Sequence, residues 1–158
     1  MASLFLKIDD INGECQDEKY KNWIELESFH WGATHPSSSG AGSGSSAGRV
    51  NFHSVTAVAK LDKAYPDLMQ LVCNGDHKPK GKLYGRKMGK TALEYLKIEM
   101  EEVFCTSADV SGSQDTQVMV SYSFDANKIK WIYTPQKNDG SADGPVTQGW
   151  DLKMNKKM

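Results

Sequence analysis

The chain has 158 residues, the length of one domain, and an apolar fraction of 39% is enough for a core. A formal charge of −1 exerts no strong pull on nucleic acid or an anionic membrane, and no apolar run approaches the ~18–20 residues of a spanning helix. Three widely spaced cysteines, Cys15, Cys73 and Cys105, do not form a secreted disulfide framework and suit folding in a reducing cytoplasm.

The opening "MASLFLKIDD" lacks a basic start, and Lys7 breaks its short apolar run, so no cleaved signal peptide is expected. In "NWIELE" Ile24 and Leu26 alternate with Glu25 and Glu27, the period of a half-buried strand. After Leu26 the apolar set moves to Phe29 and Trp31. A regular strand cannot change phase, so a bulge, a bend or a change of buried face is expected there.

Residues 37–48 are all Ser, Gly or Ala and cannot bury enough apolar surface to order themselves. Only about 36 residues precede them, too few for a separate domain without staples. One domain over 1–158 is therefore expected, with an extended Ser/Gly/Ala-rich loop over 32–48 inside it.

"AYPDLMQLVCNG" breaks the period of two. Tyr65, Leu68, Leu71 and Val72 fall on one helical face. Pro66 and Asp67 suit a first turn and Gly75 a left-handed stop, so a single short helix from about Pro66 to Asn74 is predicted.

From Lys78 to Lys90 come Lys78, Lys80, Lys82, Arg86, Lys87 and Lys90 with no acid among them. Glu94, Glu99, Glu101 and Glu102 follow. This is either a solvated hairpin or a basic rim that meets an acidic partner surface. Only Tyr84 could stack on a base here, which argues against nucleic acid. "LKIEME" alternates as a strand, and its apolar set then moves from Met100 to Val103 and Cys105. "VMVSYSF" alternates again, with Val118, Val120, Tyr122 and Phe124 on one face. Long strands that shift phase suit a sheet curled into a barrel, although a sandwich would show similar signs.

No catalytic, cofactor or metal constellation stands out. "GRKMGKT" imitates a phosphate-binding loop, but Gly85 and Gly89 are one residue too close, and the following "ALEYLKIEME" alternates as a strand where a helix is required. A hairpin of "KLYGRKM" with "LEYLKIEM" across a Gly-Lys turn is expected instead. His30, His35, His53 and His77 lack metal-ligand spacing. "GSSAG" around Ser46 matches a nucleophile elbow only inside a run made of Ser, Gly and Ala, with neither the strand before it nor the helix after it.

Taken in order, several segments resemble the Hcp family, the tube-forming proteins of bacterial type VI secretion systems. They are "FLKIDDINGE", "IELESFHWG", "GRVNFHSVTAVAKLDKAYPDLMQLVCNGDH", "EYLKIEMEEVFCTS" and "YTPQKNDGSADGPVTQGWDLKMN", nearly the whole chain. The resemblance implies a mainly β fold, a β-barrel of antiparallel strands with one short flanking α-helix, forming a homohexameric ring. It implies rings stacked into a hollow tube that a sheath expels and that carries effector proteins in its lumen. Spike and sheath components and the effectors are then partners, with neither nucleic acid binding nor membrane insertion. The protein would be cytoplasmic and then secreted through its own machine. The chain ends soon after Trp150, and a plain tube subunit rather than a fused effector is expected.

The resemblance makes His30, opposite Phe29 and Trp31, a candidate for the lumen face. Lys78, Lys80, Lys82, Arg86 and Lys87, with Ser43 and Gly44 of the small-residue loop, are candidates for contacts between rings or subunits. Charge reversal at Lys80 and Lys82 is expected to weaken stacking and spare single rings. The competing readings are a monomeric β-barrel that binds a small ligand or carbohydrate, and a hydrolase whose residues converge only in the fold.

Overall fold

The structure, a computed structural model, describes residues 2–36, 49–89 and 91–158. Ser43, Gly44, Ser46 and Lys90, and most of the expected loop over 32–48, lie outside the described residues. The described strands are β1 (Ala2–Ile8), β2 (Ile24–His30), β3 (Ala33–Thr34), β4 (Asn51–Phe52), β5 (Val55–Lys60), β6 (His77–Lys87), β7 (Leu93–Ser111), β8 (Met119–Tyr133), β9 (Val146–Asp151) and β10 (Lys156–Lys157). One helix, α1 (Ala64–Asn74), lies between β5 and β6.

All pairings are antiparallel. The main sheet runs β10-β9-β8-β5-β2-β1-β6-β7, and a further β7–β8 pairing closes six of its strands into a barrel. β9 and β10 continue the sheet beyond β8. β3 and β4 form a separate two-stranded ribbon.

The alternation seen in the sequence places the core. Leu6, Ile8, Ile24, Leu26, Ala57, Leu83, Val120, Tyr122 and Phe124 all point into the barrel, and Leu68 and Leu71 of α1 join the same cluster. Three devices handle the phase changes. A bulge interrupts the β2–β5 register between Leu26 and Ser28. A second interrupts β7–β8 between Cys105 and Ser107.

Between Met100 and Val103 the register with β8 is kept, and Glu102 adopts φ 52°. That left-handed residue lets the buried face switch without a slip, at a steric cost for a residue with a Cβ. Its carboxylate accepts hydrogen bonds from Asn127 Nδ2 and from Lys153 Nζ, the latter at 3.0 Å.

α1 starts two residues earlier than the sequence predicts. The Asp62 carboxylate accepts the Ala64 N–H at 3.0 Å, so the first turn forms ahead of Pro66. Pro66 is tolerated there because first-turn N–H groups have no intrahelical partner. Gly75 closes the helix at φ 71°, its N–H bonded to the Leu71 carbonyl.

The segment between β1 and β2 folds onto the outside of the barrel and makes a second, smaller core. Phe5, Cys15, Tyr20 and Tyr84 are buried there, with Trp23 packed against them. Phe5 and Tyr20 stack with ring centroids 4.0 Å apart. β1 is thus buried on both faces, which explains why Phe5 and Leu6 are adjacent apolar residues.

Candidate assembly surfaces

The basic residues from Lys78 to Lys87 lie on the strand β6, and Gly85, Arg86 and Lys87 of "GRKMGKT" are the end of that strand. The expected hairpin is present: Tyr84 faces Lys97 and Leu83 faces Ile98 across the pair. Among the described residues no helix begins at the motif.

The β6 cations have different surroundings. Arg86 is drawn into the second core, with its side chain 11% exposed. Its guanidinium carbon lies 5.1 Å from the Phe5 ring and 5.2 Å from the Tyr20 ring, and Nη2 donates to Asp17 Oδ2 at 2.7 Å. That hydrogen bond holds the Asp17 carboxyl below the usual carboxylate range. Arg86 therefore fastens the β1–β2 segment to the barrel and does not belong to a free basic rim. Lys78 leans toward Asp10 at 3.7 Å. Lys87 is exposed, with its ammonium 4.9 Å from the Tyr95 ring, and the next residue, Met88, is 53% exposed.

Beside Arg86, Tyr20 donates a hydrogen bond to Glu94, and Lys19 approaches the same carboxylate at 3.2 Å. Burial pulls the Glu94 carboxyl upward. The hydrogen bonds from Tyr20 and Lys19 and the charges of Lys19 and Lys97 outweigh it, and Glu94 titrates below the ordinary glutamate value.

Lys80 and Lys82 point outward and stand opposite Glu101 and Glu99 of β7. On the far side of the same glutamates β8 places Lys128 and Lys130. The six side chains line one cleft of ≈ 230 Å³, with Gly81, Met100 and Ile129 between them along the strands and Met158 at its edge. Gly81 is required from the other side of the strand: a Cβ there would point into the barrel core, 2.9 Å from Ile8 Cδ1 and 3.2 Å from Met100 Cε. Sequence reasoning found Lys80 and Lys82 but missed Lys128 and Lys130, which are about fifty residues away in the chain and adjoin only through the β7–β8 pairing.

His30 is exposed and Phe29 and Trp31 are half-buried, so the expected opposition of faces holds. The His30 ring stacks near that of His53, with centroids 6.3 Å apart. The face of the barrel that carries His30 continues through Thr56 and Ser123. Ser28, Val58 and Ser121 form the next row of this face, so it is mostly of small side chains.

A further surface was not legible beforehand. Trp31, Phe52 and Trp131 cluster with centroids 5.5–6.1 Å apart, and Trp150 and Val50 extend the patch into an apolar cleft beneath the β3–β4 ribbon. The three clustered aromatics come from β8, β4 and the residue after β2, so no local pattern announces them. Among the described residues no group of three or more His, Cys, Asp or Glu side chains is placed to hold a metal ion. Among the described residues no helix is long and apolar enough to cross a membrane.

Comparison with known proteins places this architecture. The family model described as "Type VI secretion system effector, Hcp" matches residues 5–133. Protein hcp1 of Pseudomonas aeruginosa is 34% identical over 157 residues, spanning 98% of this chain and 97% of that protein. The solved structure of a type six secretion system protein matches with a TM-score of 0.93 at 25% identity over 100% of both chains. The crystal structure of Hcp1 from Salmonella typhimurium matches with a TM-score of 0.82 at 32% identity over 99% of each. On this evidence of motif order, barrel topology and near full-length similarity, the chain belongs to the Hcp family of type VI secretion proteins.

Proposed function

We propose that the chain is the structural subunit of a type VI secretion inner tube. Six copies close into a ring, rings stack into a hollow tube, and the contracting sheath expels the tube with effector proteins in its lumen. The observation that carries this reading is the family match over residues 5–133, together with similarity along 98% of the chain to a Pseudomonas aeruginosa Hcp protein.

The surfaces fit such a role. A closed barrel leaves its outer faces for contacts between copies, and heterologous contacts that return on themselves make rings. The face of mostly small side chains around His30, Thr56 and Ser123 suits a channel wall past which cargo must move, and we assign it to the lumen. Lys78 and Lys87 are assigned to contacts between rings, with the exposed turn at Met88. The spike and sheath are the partners that this role requires, and the tube machinery itself is the route of export.

A monomeric ligand-binding barrel is disfavoured by the barrel's own filling. Its inward side chains, among them Leu6, Leu83, Val120 and Tyr122, are fully buried against one another. A building block needs no catalytic group, and we propose that the chain has no enzymatic activity; turnover in an unbiased substrate panel, with or without chelator, would overturn that part. The tube reading is tested by solution mass and negative-stain imaging of the purified protein. Annular six-subunit particles support it, and single subunits at every concentration refute it.

A further inference from the structure

A closed ring requires each subunit to present two different and complementary ends. We propose that the basic cleft of β6, β7 and β8 receives the acidic turn end of the β7–β8 hairpin from the next copy in the ring. This rests on the tube reading and names the contact that closes the ring. It moves Lys80 and Lys82 from contacts between rings to a contact within one.

The cleft has an excess of positive charge. Lys82, Glu99 and Lys130 form one cross-strand row, and Lys80, Glu101 and Lys128 the next. Four ammonium groups thus surround two carboxylates. Glu99 is also engaged from a third side, accepting a hydrogen bond from Tyr84 Oη at 2.6 Å. Lys128 lies 3.9 Å from Asp151, whereas Lys80, Lys82 and Lys130 have no carboxylate oxygen within 4.0 Å among the described residues. The cleft is concave and lined mainly by these charged side chains, so an entering carboxylate would meet three cations that lack a carboxylate partner of their own. Complementary charge of this kind orients a contact and fixes its register.

The other end of the same hairpin has the opposite character. Asp109, near the end of β7, and Asp115, in the turn that follows, are both exposed. In the adjoining cleft stand Glu14, Glu25, Glu27 and Asp62, with Lys60 the one cation among its lining residues. Lys60 is already 3.7 Å from Glu27. Leu61 and Val110 add exposed apolar surface there, 44% and 45% exposed, as Met158 does at the basic cleft with 43%. One strand pair thus carries an anionic end and a cationic end, the charge layout of a head-to-tail contact.

The spacing suits a hollow ring. Lys130 is eleven residues from Met119, so the two ends are at most about 36 Å apart at ~3.3 Å per strand residue. In a regular hexagon the side equals the distance from corner to centre, so subunits sit at up to that distance from the axis. A domain of this length has a radius of gyration of about 15 Å. At that full distance the ring has room for an open middle.

The test is a charge swap. One variant carries Lys82→Glu and Lys130→Glu, so both of its ends are acidic. The other carries Asp109→Lys and Asp115→Lys, so cations replace both acids at its turn end and face the basic cleft of the next copy. Native fold is checked by circular dichroism and by the urea midpoint. Ring population is read by native mass and negative stain at a concentration where the unaltered protein is all ring.

Each variant alone is expected to lose rings by about tenfold or more, because like charges now face each other. A one-to-one mixture is expected to recover them to within about twofold, because alternating copies restore every pair and six is an even number. Folded variants that each form rings as well as the unaltered chain would overturn the contact, and so would a mixture that restores nothing. Absence of rings in the unaltered protein would refute the tube reading, and this contact with it.

Discussion

Arg86 and Glu94 show how single charges hold a covering segment onto the barrel. Arg86 lies among Phe5 and Tyr20 with its charge answered by Asp17, and Glu94 accepts from Tyr20 and Lys19. Because the folded state lowers the Glu94 pKa, its contribution is fully present above the ordinary value of 4.5 and is lost as pH falls through the lowered one. Glu94→Gln is therefore expected to cost about 1 kcal/mol at pH 7, read from urea midpoints. The gap to the unaltered protein should close as pH drops below 4.5. A gap that stays constant down to pH 2 would show that the carboxylate charge is not what matters.

The cysteines make a second residue-scale test. Cys73 is exposed, whereas Cys15 and Cys105 are buried. Burial pushes the Cys105 thiol up to about 11, and burial with the neighbouring Glu25 raises Cys15. One thiol should react quickly with a disulfide reagent at pH 8, the others slower by on the order of a hundredfold, since thiolate is the reactive form. Urea should release all three. Two fast thiols in the native protein would contradict the packing at Cys15 or Cys105.

At the scale of elements, α1 contributes through the face it buries. Leu68 is fully buried in the main core, so Leu68→Ala should lower stability by about 2–5 kcal/mol in chemical denaturation. A loss well below 1 kcal/mol would mean that the helix is not docked there.

This helix was readable from the spacing of Leu68, Leu71 and Val72 and from Gly75, because capping and periodicity are local. The bulge after Leu26 and the face switch after Met100 were readable as phase errors for the same reason. The device at Glu102 was not, since a left-handed residue leaves no mark in an alternating pattern. Nor was the second core. Its members Phe5, Cys15, Tyr20 and Tyr84 come from β1, the segment after it, and β6, and only the β1–β6 pairing brings them together. Arg86 was read as surface charge because a sequence shows the charge but not the aromatic rings that cover it.

At the scale of the molecule, the barrel and the family were legible from motifs in order along almost the whole chain. The candidate contacts were legible only by halves: Lys80 and Lys82 as part of a basic run, but neither Lys128 and Lys130 across β7 nor the acidic end at Asp109 and Asp115. Assembly depends on where charges stand relative to one another in three dimensions, and the long β7–β8 pairing sets that. The contacts proposed at the two ends of that hairpin make a directional subunit, and directional subunits close rings or run on as filaments. The most direct measurement is native mass combined with negative-stain images of the purified, unaltered protein across a concentration series. The account expects closed annular particles of six subunits around an open centre; single subunits at every concentration, or open chains that never close, would contradict it.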